Sequence, residues 1–170
     1  EMNRLGMIID VAHATQATCA GVVAESRVPV MLSHSNLHSG AAPAPRLISI
    51  EHARLVTDAG GIIGMLSDRV RPGDRTLPCR FFGAEAAMPD GPLAFASIMH
   101  APVLLCLGLY RGGRRYDVHF ELLAETIDAP RARRREAIQG YLQQYASRLE
   151  HYCRIAPYNW FNFYDYWQTH

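Results

Sequence analysis

The chain has 170 residues, nearly half of them apolar, and a formal net charge of +1. It is long enough for a domain with a real core, too apolar for a disordered segment, and too weakly charged to be drawn to nucleic acid. All 17 basic residues are arginine, which reads as coding bias rather than as anion binding at every position. Cys19, Cys79, Cys106 and Cys153 are too far apart for a zinc ribbon or a dense disulfide framework. Cys106 sits in an apolar run and is expected in the core. The longest apolar stretch, Ala101 to Tyr110, falls well short of the roughly 20 residues of a membrane-spanning helix. No targeting segment is read, and a cytoplasmic location is expected.

The elements follow in chain order. Met7–Val11 and Val28–Leu32 are short apolar runs of the kind buried in parallel sheets. A helix is predicted between them over Thr15–Arg27, with Thr15 or Thr18 as its cap. Ser49 then precedes a helical run that stops at Gly60-Gly61, and Ile62–Leu66 reads as a third strand. Strand, helix, strand, helix, strand is the βα grammar of a parallel sheet or barrel. Residues 67–82 are rich in Arg, Pro, Gly and Asp and read as a long loop. Asp90-Gly91-Pro92 opens a helix to about His100. Val103–Leu109 is a continuous apolar strand expected at the centre of a sheet. A turn at Gly112-Gly113 leads into a strand in which Tyr116, Val118 and Phe120 alternate with Asp117, His119 and Glu121. From Asp128-Ala-Pro130 a long helix carries Ile138, Tyr141, Leu142, Tyr145, Leu149 and Tyr152 as one stripe. Its first turns bear Arg131, Arg133, Arg134 and Arg135, either a solvated face or one for an anionic membrane surface.

Two histidines carry the first chemical signal. His13 and His34 each follow a predicted strand directly. In a βα barrel, side chains at the C-terminal strand ends gather at one site, so these imidazoles can converge on a metal ion. Ser33 and Ser35 stand where they can hydrogen-bond such ligands. Histidines satisfied within loops are the alternative that spacing leaves open.

Glu1-Met-Asn-Arg-Leu-Gly6, Ile9-Asp10-Val-Ala-His13, Pro29-Val30 and Ser33-His34-Ser35-Asn36 occur in an order that resembles the renal, or membrane, dipeptidase family. The resemblance covers about residues 1–65. It implies part of a TIM-type barrel, zinc as cofactor, dipeptides as substrates, His13 and His34 as ligands of one zinc, and Arg46 as the holder of the substrate carboxylate. The family's His-x-Asp pair, bridging glutamate and later aspartate have no counterpart, so any zinc site is expected to be weak and incomplete.

A second set of motifs follows. Gly64-Met-Leu-Ser-Asp68-Arg69, Gly73-Asp74-Arg75-Thr76, Phe81-Phe82-Gly83, Pro89-Asp90-Gly91-Pro92 and the closing Trp160-Phe-Asn-Phe-Tyr164 resemble the bacterial lipid A lauroyl acyltransferase family over about residues 62–170. That implies acyl carrier protein and an anionic glycolipid or membrane surface as partners at the inner membrane. It points to Arg69, Arg75 and Gly91 as anion-binding positions; pairing of the two arginines with Asp68 and Asp74 is the competing reading. The family's histidine with an acidic residue five positions later is absent. The expectation is an α/β chimera: a dipeptidase-like βα fragment over 1–65, partial TIM-barrel-like, joined to an acyltransferase-like C-terminal half over 66–170 with a long helix. Both sites look incomplete, and neither dipeptide hydrolysis nor acyl transfer is expected. A binding or structural protein is the third reading.

Overall fold

The computed structural model describes residues 1–35, 47–71, 73–128 and 130–167. The chain forms two compact units, Glu1–Leu66 and Ser67–His170.

In the first unit, α1 (Gln16–Glu25) leads to β1 (Met31–Ser35), and α2 (Ile50–Asp58) leads to β2 (Ile62–Met65). The caps are those the sequence offers. Thr15 accepts the Thr18 N–H and Ser49 accepts the His52 N–H, each at 3.1 Å. β1 and β2 pair in parallel, and Asp10 bridges to Met31 on the other side of β1. The expected strand at 7–11 is thus reduced to one bridge. The expected strand at 28–32 begins later, because Pro29 has no N–H and the Val28 carbonyl is taken by the Ser26 hydroxyl at 2.7 Å. The core comprises Val11, Cys19, Val30, Leu32, Ile48, Ala53 and Val56.

β1 is not regular. Leu32 faces Ile63 and Ser35 faces Met65, so three steps on β1 oppose two on β2. This bulge leaves Leu32 and Ser35 both buried and turns His34 outward. Gly64 lies opposite it. A Cβ there would stand 2.9 Å from the Ser33 carbonyl carbon and closer still to its oxygen.

In the second unit, β3 (Thr76–Phe81) and β4 (Ala84–Pro89) form an antiparallel hairpin. α3 (Gly91–Met99) follows, then the antiparallel pair β5 (Val103–Tyr110) and β6 (Tyr116–Ala124), and finally α4 (Arg134–Ile155). The expected loop over 67–82 is corrected here, because residues 76–81 of it form β3. Its turn is Phe82-Gly83, with φ of 50° and 82°, the left-handed pair a tight hairpin needs. Phe82 holds that unusual conformation with help from α4: its N–H donates to Glu150 at 2.6 Å and its ring lies under Arg154.

α4 buries Ile138, Leu142, Ala146, Leu149, Tyr152 and Cys153. The first four and Cys153 pack with Leu77, Cys79, Phe81 and Met88 of the hairpin and with Leu93 of α3. The helix also meets the outer edge of β3. Gln143 takes the Arg80 N–H at 2.8 Å and returns a bond to the Arg80 carbonyl at 2.9 Å, while Gln139 donates to the Pro78 carbonyl. The C-terminal segment closes over Phe81 with Trp160, Tyr166 and Trp167 at ring distances of 5.3, 5.5 and 6.0 Å. Tyr158 and Phe163 remain 91% exposed.

The β5–β6 pair departs from expectation in two ways. β5 is not central: among the described residues it pairs only with β6. The faces also differ: Leu105 and Leu109 of β5 are buried, but β6 is turned over. Leu104, Cys106, Gly108 and Tyr110 face outward beside Leu122, Phe120, Val118 and Tyr116. Cys106 is therefore exposed rather than in the core. The opposite face carries Glu121, whose carboxylate takes Arg148 Nε and Nη2 at 2.6 Å each and the Tyr152 hydroxyl at 2.5 Å. Arg148, then Tyr152, hold its carboxyl down to a pKa of about 2. A charge satisfied by α4 draws that face of β6 toward the helix and leaves the aromatic face in water. Among the described residues no helix is long and apolar enough to cross a membrane.

Candidate functional site

His13 and His34 come together. Their Nε2 atoms are 3.0 Å apart and their rings meet edge to face at 4.7 Å. His13 reaches this position from a left-handed backbone, φ 62°, which is uncommon for a residue with a side chain and concentrates at functional sites. His34 is aimed by the bulge in β1. Both rings are exposed to solvent.

Asp10 ties the two strand ends together. One carboxylate oxygen accepts the Ala12 N–H at 2.9 Å and the Ser33 N–H at 3.1 Å. The other accepts the Ser33 hydroxyl at 2.5 Å. The Ser33 oxygen also lies 2.8 Å from His34 Nδ1. Burial works against the charge on Asp10, but the bonds from Ser33 and Ala12 and the nearby His34 outweigh it and hold the carboxyl below its ordinary range.

The donor set can be tested against zinc. Two nitrogens on one tetrahedral zinc at about 2.05 Å sit roughly 3.3–3.4 Å apart, close to the observed 3.0 Å. The pair fits as two ligands. No group of three or more His, Cys, Asp or Glu side chains suited to a metal occurs among the described residues, whereas a catalytic zinc ordinarily has three protein ligands. Ser33 proves to be the hydroxyl that touches His34. Asp10 is the residue whose part sequence reasoning missed. Its signal was a carboxylate three positions before His13, at the end of the segment that pairs with β1.

The other expected positions are dispersed. Arg46 lies outside the described residues. Arg69 donates to the Phe161 carbonyl at 2.9 Å and anchors the C-terminal segment. Arg75 pairs with Asp90 at 2.8 Å, while Asp90 itself is buried and Arg75 is mostly exposed. Neither arginine takes the neighbouring aspartate: Asp68 accepts from Trp160 at 3.2 Å and Asp74 from the Arg71 N–H at 2.8 Å. Gly91 opens α3 directly after Asp90, whose carboxylate makes no capping bond to the helix and pairs with Arg75 instead.

Known proteins match the part of the chain that bears the histidine pair. A protein named Dipeptidase aclJ, from Aspergillus oryzae (strain ATCC 42149 / RIB 40), is 36% identical over 63 residues. Those residues are 37% of this chain and 15% of that protein. Dipeptidase verJ of Clonostachys rogersoniana is 49% identical over 39 residues, 23% of this chain and 10% of its own length. The chain thus spans a small part of the relatives it matches. Residues 1–77 match the model of the membrane dipeptidase family, Peptidase family M19.

Proposed function

We propose that the N-terminal unit is the histidine corner of a zinc-dependent dipeptidase site, with His13 and His34 as ligands to one zinc ion. The observation that carries this reading is the 3.0 Å approach of the two Nε2 atoms within the stretch similar to the dipeptidases. A bound zinc would supply a Lewis acid and an activated water for peptide hydrolysis. The chain's own residues hold and aim: His13 and His34 as the ligand pair, the bulge at Ser33–His34 as the device that directs one of them. Arg46, by resemblance, would grip the substrate carboxylate through its planar fork.

Two imidazoles make a weak site, and the test follows from that. Zinc competition against a chromogenic chelator should show weak binding by the 170-residue chain, lost in His34→Ala and in His13→Ala. Dipeptide turnover with added zinc should be absent for the chain alone. Equal zinc binding by wild type and both variants would refute the ligand assignment. Zinc-dependent turnover lost in His13→Ala would instead reveal a complete site.

A second reading concerns residues 67–170. The acyltransferase-like motifs and the outward apolar face of β5–β6, with Arg111, Arg114 and Arg115 exposed at its tip, suit an acyl chain joined to an anionic glycolipid. Acyl transfer from acyl carrier protein is the parent activity this reading implies. The matches to known proteins support the dipeptidase reading.

A further inference from the structure

We infer that Asp10, acting through the Ser33 hydroxyl, fixes the tautomer of His34 and so presents its Nε2 lone pair at the site. The inference rests on the proposed metal site and makes Asp10 a positioning residue for one of its ligands.

The argument is a count of protons. Ser33 has one hydroxyl proton and two neighbours for it, an Asp10 oxygen at 2.5 Å and His34 Nδ1 at 2.8 Å. The Asp10 carboxylate already accepts two backbone N–H groups and is acceptor-only when ionised. The hydroxyl therefore donates to Asp10. Its oxygen is then left as an acceptor, and the contact with His34 is satisfied only if Nδ1 carries the imidazole proton. A neutral imidazole has one N–H, so His34 Nε2 is the bare nitrogen. That nitrogen faces His13 at 3.0 Å. In the metal-free protein His13 Nε2–H donates into it, and for both rings to act as ligands His13 must carry its proton on Nδ1. A ligating histidine whose far nitrogen is held by a carboxylate or carbonyl is a recurrent arrangement. Here a serine stands between.

The relay predicts an inversion. In Asp10→Asn, the carboxamide can keep its oxygen toward the two backbone N–H groups. Its NH₂ group then points at Ser33, so the hydroxyl must turn and donate to His34 Nδ1. The proton of His34 moves to Nε2 and the lone pair is withdrawn from the site.

The test reads the imidazole nitrogens directly, by long-range ¹H–¹⁵N correlation on the metal-free chain, and zinc affinity by chelator competition. The wild type should show His34 as the Nδ1–H form. Asp10→Asn should shift it to the Nε2–H form and weaken zinc by ~10–100-fold. An Nε2–H form in the wild type, or no change in tautomer in a folded Asp10→Asn, would overturn the inference. If that variant does not fold, Ser33→Ala serves, since it keeps the backbone bond to Asp10 and removes only the relay. Its His34 should lose the Nδ1–H preference, and retention of that preference would overturn the inference. A shift in tautomer with zinc binding absent or unchanged would support the relay and count against the metal site instead.

Discussion

Gly64→Ala isolates the contact that holds β1 and β2 together beside the site. Gly64 is not in a left-handed conformation, so alanine meets no backbone strain. The whole effect is the new Cβ, which would lie 2.9 Å from the Ser33 carbonyl carbon and nearer its oxygen. Ordinary heavy-atom contact begins near 3.5 Å, so the strands must part by about 1 Å. An N–H···O bond stretched by that much passes from about 2.9 to about 3.9 Å and is lost. A backbone bond lost in this way is worth about 1 kcal/mol net, and overpacking of this kind costs about 1–3 kcal/mol. The expected destabilisation is about 2–3 kcal/mol. A unit of this size is stable by only about 3–10 kcal/mol, so much of its stability would go. Because Ser33 moves, His34 moves with it, and zinc binding should fall in parallel. Hydrogen exchange read by mass spectrometry should show lost protection at residues 31–35 and 62–65. The fluorescence of Trp160 and Trp167, both in the second unit, should be unchanged and is the internal control. Full protection of β1 together with unchanged zinc binding would refute the steric reasoning.

Two predictions concern the second unit. Glu121 has an ordinary pKa of 4.5 and one of about 2 when folded, so its pair with Arg148 stabilises the fold above the ordinary value and is lost as pH falls toward about 2. Arg148 is partly exposed and solvent screens the pair, so Glu121→Gln should lower stability at pH 7 by about 1–2 kcal/mol and converge with wild type near pH 2, measured by urea midpoints. A gap that stays constant with pH would refute the assignment. Arg75→Ala leaves the buried Asp90 carboxylate without its cation; because Arg75 is mostly exposed and solvent screens the pair, the expected destabilisation is about 1 kcal/mol. Adding Asp90→Asn should recover part of that loss, and no recovery would show that Arg75 acts otherwise.

What could be read in the sequence was local. Thr15 and Ser49 are helix caps by side-chain chemistry, Gly60-Gly61 is a stop, and the α4 stripe has helical spacing, so α1, α2 and α4 lie close to their expected bounds. What could not be read depends on distant partners. The turn at Phe82-Gly83 lacks the usual Asn-Gly signal, because Phe82 is held left-handed by Glu150 and Arg154 from α4. The outward face of β6 follows from Arg148, 27 positions from Glu121. At the site, His13 and His34 were legible as a pair, although His34 lies within β1 rather than after it and His13 follows a single bridge at Asp10. The bulge that aims one of them and the Asp10–Ser33 link exist only once β1 lies between Asp10 and β2.

The glutamines of α4 have a geometric consequence. Four helical residues advance by about 6 Å and two strand residues by about 6.6–6.8 Å, so Gln139 and Gln143 step along the helix at nearly the pace of Pro78 and Arg80 along β3. Helix and strand are two rulers with matching graduations. A slip of one residue on either ruler would miss both marks at once and turn the buried Leu77, Cys79 and Phe81 outward. The same marks occupy the open side of the ladder. On that side Pro78 has no N–H and Arg80 is filled by an amide, and in the turn beyond them Phe82 donates to Glu150. A strand from another molecule would find the rungs at Pro78 and Arg80 already taken, which makes this stretch of the edge a poor seed for intermolecular sheets.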